Sequence, residues 1–207
     1  MIFLPKRFNF IDVGAYQGDI TRQYFTFLRS VPQRFHLIEP NPINFELLEK
    51  TMQGFNLYKL AISDHDGEEE FFYDPQFLNA SSLYKEMPEG KGNSESIVTM
   101  KTPCLTMDSF LKKYNLETVD FLKINCEGGE YKMFSAPTLI FLNVTTYLLI
   151  SWHGKRGCFN SEPHVSQRQR INKMLLDKGF RFLDGVKPTD IGLYGSKSHS
   201  LQYWKKD

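Results

Sequence analysis

The chain has 207 residues, a formal net charge of +1, 41% hydrophobic and 24% charged residues, which predicts one domain with a full apolar core and no electrostatic footprint for nucleic acid. Cys104, Cys126 and Cys158 are widely spaced and form no CxxC pair, zinc pattern or even-numbered disulfide set. No run approaches the ~18 apolar residues of a membrane span, and the opening MIFLPKRFNF is too short and too interrupted for a signal peptide, so the expected compartment is a reducing cytoplasm.

Phe8–Val13 reads as a first buried strand, followed by the turn GAYQG. Ile20, Tyr24, Phe27, Leu28 and Val31 then recur at helical spacing until Pro32. RFHLIE (34–39) is a second strand, after which Asn41-Pro42 supplies an N-cap and a first-turn proline for a helix with Ile43, Leu47, Leu48 and Met52 on one face. NLYKLAI (56–62) is a third strand; EEFFYD follows a turn as a further one. Residues 74–96 are polar and rich in turn formers, an irregular excursion over the sheet. Strand pattern returns at Ile97–Leu105, then a short helix capped by Thr106, strands at 119–124 and 146–152, and a helix opened by EGGEYKMF between them. A helix over Ser166–Lys178 stops at Gly179, and strands at 180–183 and 201–204 close the chain. Strands alternating with helices predict a mostly parallel sheet covered on both faces, with the last two strands an antiparallel hairpin at one edge.

In such a sheet ligands sit past the carboxyl ends of the strands. Those ends carry Asp12-Val-Gly14, Glu39-Pro40-Asn41, Ala61-Ile62-Ser63, Asn125-Cys-Glu127 and Trp152-His153. The turn FIDVGAYQGDIT has Gly14 and Gly18 but no third glycine, so it is not the GxGxxG of a dinucleotide site. No GxxxxGK[ST] loop or neighbouring lysine stands ready for phosphates. Glu39, about 20 residues past the turn, has the spacing of a carboxylate that accepts from both ribose hydroxyls. An adenosine without phosphate fits this pair of features, and S-adenosylmethionine is the commonest such cofactor. Asp12 would hold its ammonium, and Gly14, lacking Cβ, would let the backbone approach it.

The strings FIDVGAYQGDIT, LIEPNP, LAISDHDGEEEFF, ASSLY, LTMDSFL and VDFLKINCEGGEYKMF, in this order, resemble the FkbM-type family of S-adenosylmethionine-dependent methyltransferases from about Phe10 to His153. The resemblance implies a class I methyltransferase fold: a Rossmann-like three-layer sandwich with a seven-stranded, mostly parallel sheet, as a single domain over 1–207. It implies O-methylation of a sugar or natural-product hydroxyl. It places Asp12, Gly14, Ala15, Tyr16, Gly18 and Thr21 in the cofactor loop, Glu39, Pro40 and Asn41 at the ribose, and Ala61, Ile62 and Ser63 beside the adenine. Asn125 stands where the family usually has Asp, in KIDVEG, and little chain precedes the first strand to cover the site.

Methyl transfer to a hydroxyl needs an aligned acceptor and removal of its proton. His153, with an unperturbed pKa near ~6.5, is the expected base, with Asn125 beside the methyl and Glu127 orienting the acceptor. Asn125, Glu127 and His153 together make a poor oxygen cage, so no metal is expected. The expected partner is a small-molecule or glycan acceptor, with no nucleic acid and no membrane span; the oligomeric state is not readable. The competing readings are a nicotinamide oxidoreductase, disfavoured by the missing third glycine, an N- or RNA-directed methyltransferase, disfavoured by neutral charge, and a non-catalytic cofactor-binding or scaffold protein, which Asn125 keeps open.

Overall fold

The computed structural model describes residues 8–28, 31–85, 96–153, 164–183 and 201–207. The run FIDV is buried at every position and forms β1 (Phe10–Val13), as a strand covered on both faces requires. It leads through the glycine turn into α1 (Asp19–Leu28), then β2 (Phe35–Ile38), α2 (Pro42–Thr51) and β3 (Asn56–Tyr58). Asn41 caps α2, its Oδ1 accepting from the amides of Ile43 at 2.9 Å and Asn44 at 3.3 Å, with Pro42 in the first turn. Next come β4 (Ala61–Ile62), β5 (Gly67–Tyr73), β6 (Val98–Leu105), α3 (Met107–Lys113) and β7 (Val119–Ile124). The chain finishes with α4 (Gly129–Met133), α5 (Phe141–Val144), β8 (Thr145–Ser151), α6 (His164–Asp177), β9 (Phe180–Phe182) and β10 (Leu201–Lys206).

Seven strands make the main sheet in the order β3-β2-β1-β7-β8-β10-β9. Neighbours from β3 to β8 are parallel, while β10 runs antiparallel to both β8 and β9. This is the mostly parallel seven-stranded sheet with an antiparallel pair at one edge. The link between β9 and β10, residues 184–200, lies outside the described residues. Successive residues of each strand serve opposite faces. Ile11, Val13, Leu122 and Ile150 pack with Phe110 of α3, Phe141 of α5 and Leu175 of α6. Phe10, Phe35, Leu37 and Leu149 pack with Tyr24 of α1 and with Leu48 and Met52 at α2. Two apolar layers therefore sandwich one sheet.

The single strand expected over 56–62 is two. Asn56–Tyr58 pairs with β2, and the amide of Glu39 donates to Tyr58 O at 3.1 Å. Ala61–Ile62 turns away to pair with Cys104 and Leu105 of β6, in a second sheet of order β4-β6-β5. Leu60, Ala61 and Ile62 are the buried part of the run: Leu60 and Ile62 pack into the main core beside Ile38, and Ala61 packs with Phe71 and Cys104 of the second sheet. The helix faces also differ in detail: Phe27 is 64% exposed, and α2 buries Asn44, Phe45 and Leu48 rather than Ile43. Asn44 is inward because its Nδ2 donates to Leu78 O at 3.2 Å, in the irregular segment. That segment is pinned at three further points. Asn41 Nδ2 donates to Ser81 Oγ at 2.6 Å, Ser82 exchanges backbone bonds with Phe72 at 2.8 and 2.9 Å, and Ser82 Oγ donates to Glu127 O at 2.5 Å. Residues 86–95 of the excursion lie outside the described residues.

Candidate functional site

From β1 the chain moves outward to β2 and β3 and returns on the other side of β1 as β7. Diverging connections of this kind open a crevice at the carboxyl ends of the two strands. A cleft of about 440 Å³ lies there, within the range of small-molecule sites.

Its floor is the turn after β1. Gly14 sits at φ +76°, and a Cβ placed on it would lie 2.0 Å from Asn125 O. The missing Cβ thus admits the β7–α4 turn. The amides of Gly14 and Ala15 both donate to Ile38 O, at 3.0 and 3.1 Å. Gly14, Ala15 and Tyr16 line the cleft. Gly18 packs against Leu48 and Met52 instead.

Asp12 does not line the cleft. It is fully buried, with Oδ2 accepting from Thr21 Oγ1 at 2.6 Å and Oδ1 from Lys123 Nζ at 2.5 Å. Register explains the pair, because Asp12 and Lys123 are partners across β1 and β7. The sequence reading puts a ligand ammonium at Asp12; in the structure Lys123 and Thr21 meet that carboxylate. The expectation of no lysine beside the turn is corrected, since Lys123 Nζ also donates to Gly14 O at 2.9 Å and lines the cleft.

Glu39, one residue past β2, is 5% exposed and faces the cleft with Pro40. Its Oε2 accepts from the amide of Tyr16 at 2.8 Å and its Oε1 from that of Asn41 at 2.9 Å. The carboxylate is thereby held rigidly, and each oxygen keeps a lone pair. Burial pushes its pKa up from 4.5 to about 7, against the pull of those two amides and of Lys123. Tyr16 reaches this position through φ +53°, a left-handed backbone. Asn41 itself caps α2 and does not line the cleft.

The far wall is apolar, with Leu60, Ala61, Ile62, Phe71 and Leu83. Ser63 lies behind it, donating to Glu69 Oε2 at 2.6 Å. At the end of β7, Asn125, Cys126 and Glu127 line the cleft, with Glu127 at φ +49°. Burial holds the Cys126 thiol well above its usual pKa, so it is no ready nucleophile. His153 does not line the cleft. Its amide donates to Glu130 Oε1 at 2.6 Å, its Nδ1 lies 3.2 Å from the same oxygen, and its Nε2 lies 3.4 Å from Glu127 Oε1. The imidazole therefore stands behind Glu127, between two carboxylates.

Of the expected residues, the structure gathers the glycine-turn backbone, Glu39-Pro40, Ala61-Ile62 and Asn125 with Glu127, and sets Asp12, Gly18, Thr21, Asn41, Ser63 and His153 one layer behind. Sequence reasoning missed Lys123 and the α1 residues Asp19, Ile20 and Gln23, which also line it. The available signal for Lys123 was a lone cation inside the apolar strand VDFLKI. On the small sheet, donor atoms of His65, Glu69 and Cys104 lie within 4.8 Å of one another. Glu69 is engaged there by Ser63 and by an ion pair with Lys132.

A model of the methyltransferase FkbM domain matches residues 12–182, from the glycine turn to β9. The chain belongs to the FkbM methyltransferase family. The crystal structure of methyltransferase FkbM from Methylobacillus flagellatus KT is similar in fold, with a TM-score of 0.59 and 10% sequence identity over 99% of this chain and 45% of that one. This chain thus spans less than half of that protein's length, and at this identity the likeness is one of fold alone. No curated protein matches the chain. The matched segment of the FkbM domain holds every cleft residue named above. No helix among the described residues is long and apolar enough to cross a membrane.

Proposed function

We propose that this FkbM domain is a single methyltransferase unit that uses S-adenosylmethionine and methylates a hydroxyl of a sugar or natural-product acceptor. The observation that carries the reading is Glu39, a buried carboxylate fixed by two backbone amides and turned into the cleft. Burying a carboxylate is costly unless it meets donors, and a pair of vicinal ribose hydroxyls supplies two. The apolar wall beside Ala61 and Ile62 suits a purine.

When bound, the cofactor supplies an electrophilic methyl on a sulfonium. Glu39 holds the ribose, and the left-handed turn at Tyr16 supports Glu39. Asn125 sits where the β7 backbone meets the glycine turn, its amide donating to Val13 O at 2.9 Å, and its side chain can orient a hydroxyl but cannot take its proton. Glu127, two residues further along, also lines the cleft and takes the proton, with His153 behind it to pass the proton on.

The test is calorimetry with S-adenosylhomocysteine at two temperatures, then turnover of labelled S-adenosylmethionine against sugar acceptors. Saturable heat is expected, along with methyl transfer to a hydroxyl. Folded protein with neither heat nor thermal shift refutes the cofactor assignment, and transfer to nitrogen only refutes the acceptor class.

A further inference from the structure

The small sheet carries a second group of chemically capable side chains, and none of them, His65, Glu69 or Cys104, lines the cleft. Register builds the group. Cys104 of β6 is paired with Ala61 of β4 on one side and with Gly67 of β5 on the other. Paired residues share a face of the sheet, and these two partners are too small to fill the space beside the thiol. Glu69, two residues past Gly67, projects from the same face. The turn 63–66 brings His65 over it, with Nε2 at 3.7 Å from Cys104 Sγ.

That spacing is the one a bridging ion needs. Ligands about 2.3 Å (sulfur) and about 2.0–2.1 Å (nitrogen) from zinc stand about 3.6 Å apart across a tetrahedral angle. Donor atoms of all three residues lie within 4.8 Å of one another. The imidazole is also oriented, since its Nδ1 lies 2.7 Å from Asp64 Oδ1. A carboxylate only accepts, so Nδ1 carries the hydrogen and the neutral ring turns the Nε2 lone pair toward the sulfur. A carboxylate behind the other nitrogen is the usual support of a metal-bound histidine. Glu69 is held too, with Oε2 accepting from Ser63 Oγ at 2.6 Å and Oε1 paired with Lys132, and each oxygen keeps a lone pair. The thiol is no ready nucleophile: burial first, then Glu69, Asp66 and Asp64, push its pKa up from 9.0 to about 11. Those same carboxylates are the field that a cation would meet.

We propose that His65 Nε2, Cys104 Sγ and a Glu69 carboxylate oxygen form a site for a thiophilic divalent cation of the zinc class, with water as the fourth ligand on the exposed side of His65. Sulfur, imidazole and carboxylate in one tetrahedral set suit zinc rather than magnesium or calcium. Binding displaces the thiol proton to solvent, and thiolate and carboxylate then balance the two positive charges of the ion. Lys132 competes for the same carboxylate. The ion clips the turn 63–66 to β6 and so steadies Ala61 and Ile62, which belong to the cleft wall. The site is independent of what the cleft binds.

The test uses the full chain, reduced and dialysed against a chelator, then titrated with Zn²⁺ by calorimetry and with Co²⁺ by absorption. One ion per chain is expected, with a thiolate-to-cobalt charge-transfer band and a Tm that rises with Zn²⁺ concentration. His65→Gln alters an exposed side chain and should weaken Zn²⁺ at least about tenfold; Asp64→Asn should weaken it by about tenfold or more through the imidazole. Cys104→Ala should abolish the band, and Lys132→Met should tighten Zn²⁺. Cys126 and Cys158 remain in every variant, so a band that survives both His65→Gln and Cys104→Ala belongs to another thiol and overturns the site. Failure of the wild-type chain to bind Zn²⁺ below millimolar concentrations overturns it as well, and Lys132 is then the cation that the cluster serves.

Discussion

The proposed seat of Glu39 on the ribose would tie ligand binding to protons. Burial sets its pKa at about 7 in the ligand-free chain, and two ribose hydroxyls donate more strongly to the ionised form than to the protonated one, which turns one oxygen into a donor. With a free-state pKa of about 7 that falls when hydroxyls donate to the carboxylate, the apparent dissociation constant of S-adenosylhomocysteine should be larger at pH 6 than at pH 8, by up to about tenfold. Binding at pH 6 should release up to nearly one proton, read by calorimetry in two buffers of different ionisation enthalpy. Folding feels the same group with the opposite preference. The folded pKa lies above the unfolded one, so the native state holds the extra proton between about pH 4.5 and 7, and stability falls as pH rises through that window. A shift from 4.5 to about 7 corresponds to something on the order of 3 kcal/mol. Glu39→Gln, which cannot titrate, should flatten both curves relative to wild type. A wild-type affinity constant from pH 6 to 8, with no proton released, would refute the assignment of Glu39 to the ribose.

Three other outcomes follow from single contacts. Gly14→Ala should lose roughly 3 kcal/mol or more in urea melts, because its Cβ would meet Asn125 O at 2.0 Å from a φ of +76°; a loss under about 1 kcal/mol would mean that the turn shifts freely. Lys123→Met alone should cost roughly 3–5 kcal/mol, since it leaves Asp12 buried without its cation, and adding Asp12→Asn should restore much of that loss. Asn41→Ala should cost about 1 kcal/mol as a lost helix cap, and proteolysis between residues 74 and 85 should quicken because Ser81 loses its anchor.

The main sheet was legible because β1, β2, β7 and β8 are short apolar runs bounded by turn residues, and because Asn41-Pro42 and Thr106 mark helix starts by local chemistry. The break between β3 and β4 was not. NLYKLAI looks continuous, and what divides it is pairing with Cys104 and Leu105, over 40 positions away. Glu39 was legible by its spacing from the turn, since both ends of that spacing lie in one β-α-β unit. The pairing of Asp12 with Lys123 was not, because it depends on the register of strands 111 residues apart. Each residue is conspicuous alone as a charge in a buried strand; only the register shows that each answers the other. Gly14 was legible as a required glycine, but what crowds it is again β7. Local signals thus located the cleft, and contacts across the β1–β7 seam decided which side chains face into it.

The same distinction governs the base. His153 is the obvious titratable group by strand order, but its ring is turned from the cleft and held by Glu130. A carboxylate only accepts, so the His153 nitrogen facing Glu130, Nδ1, carries the hydrogen. In a neutral imidazole Nε2 is then the acceptor, 3.4 Å from Glu127 Oε1. The imidazole is thus within reach of a proton that Glu127 carries. A hydroxyl proton delivered to Glu127 has that place to go. Glu127→Gln should therefore cut turnover by roughly a hundredfold to ten-thousandfold, the share of a general base, with S-adenosylhomocysteine affinity nearly unchanged. His153→Ala should cost less, because Glu127 still faces the acceptor, and should displace the rising limb of kcat/KM against pH without abolishing it. Asn125→Asp should keep or raise activity, adding a second carboxylate at the acceptor. If Glu127→Gln is fully active while His153→Ala is dead, the imidazole reaches the acceptor directly and the order of the two groups is reversed.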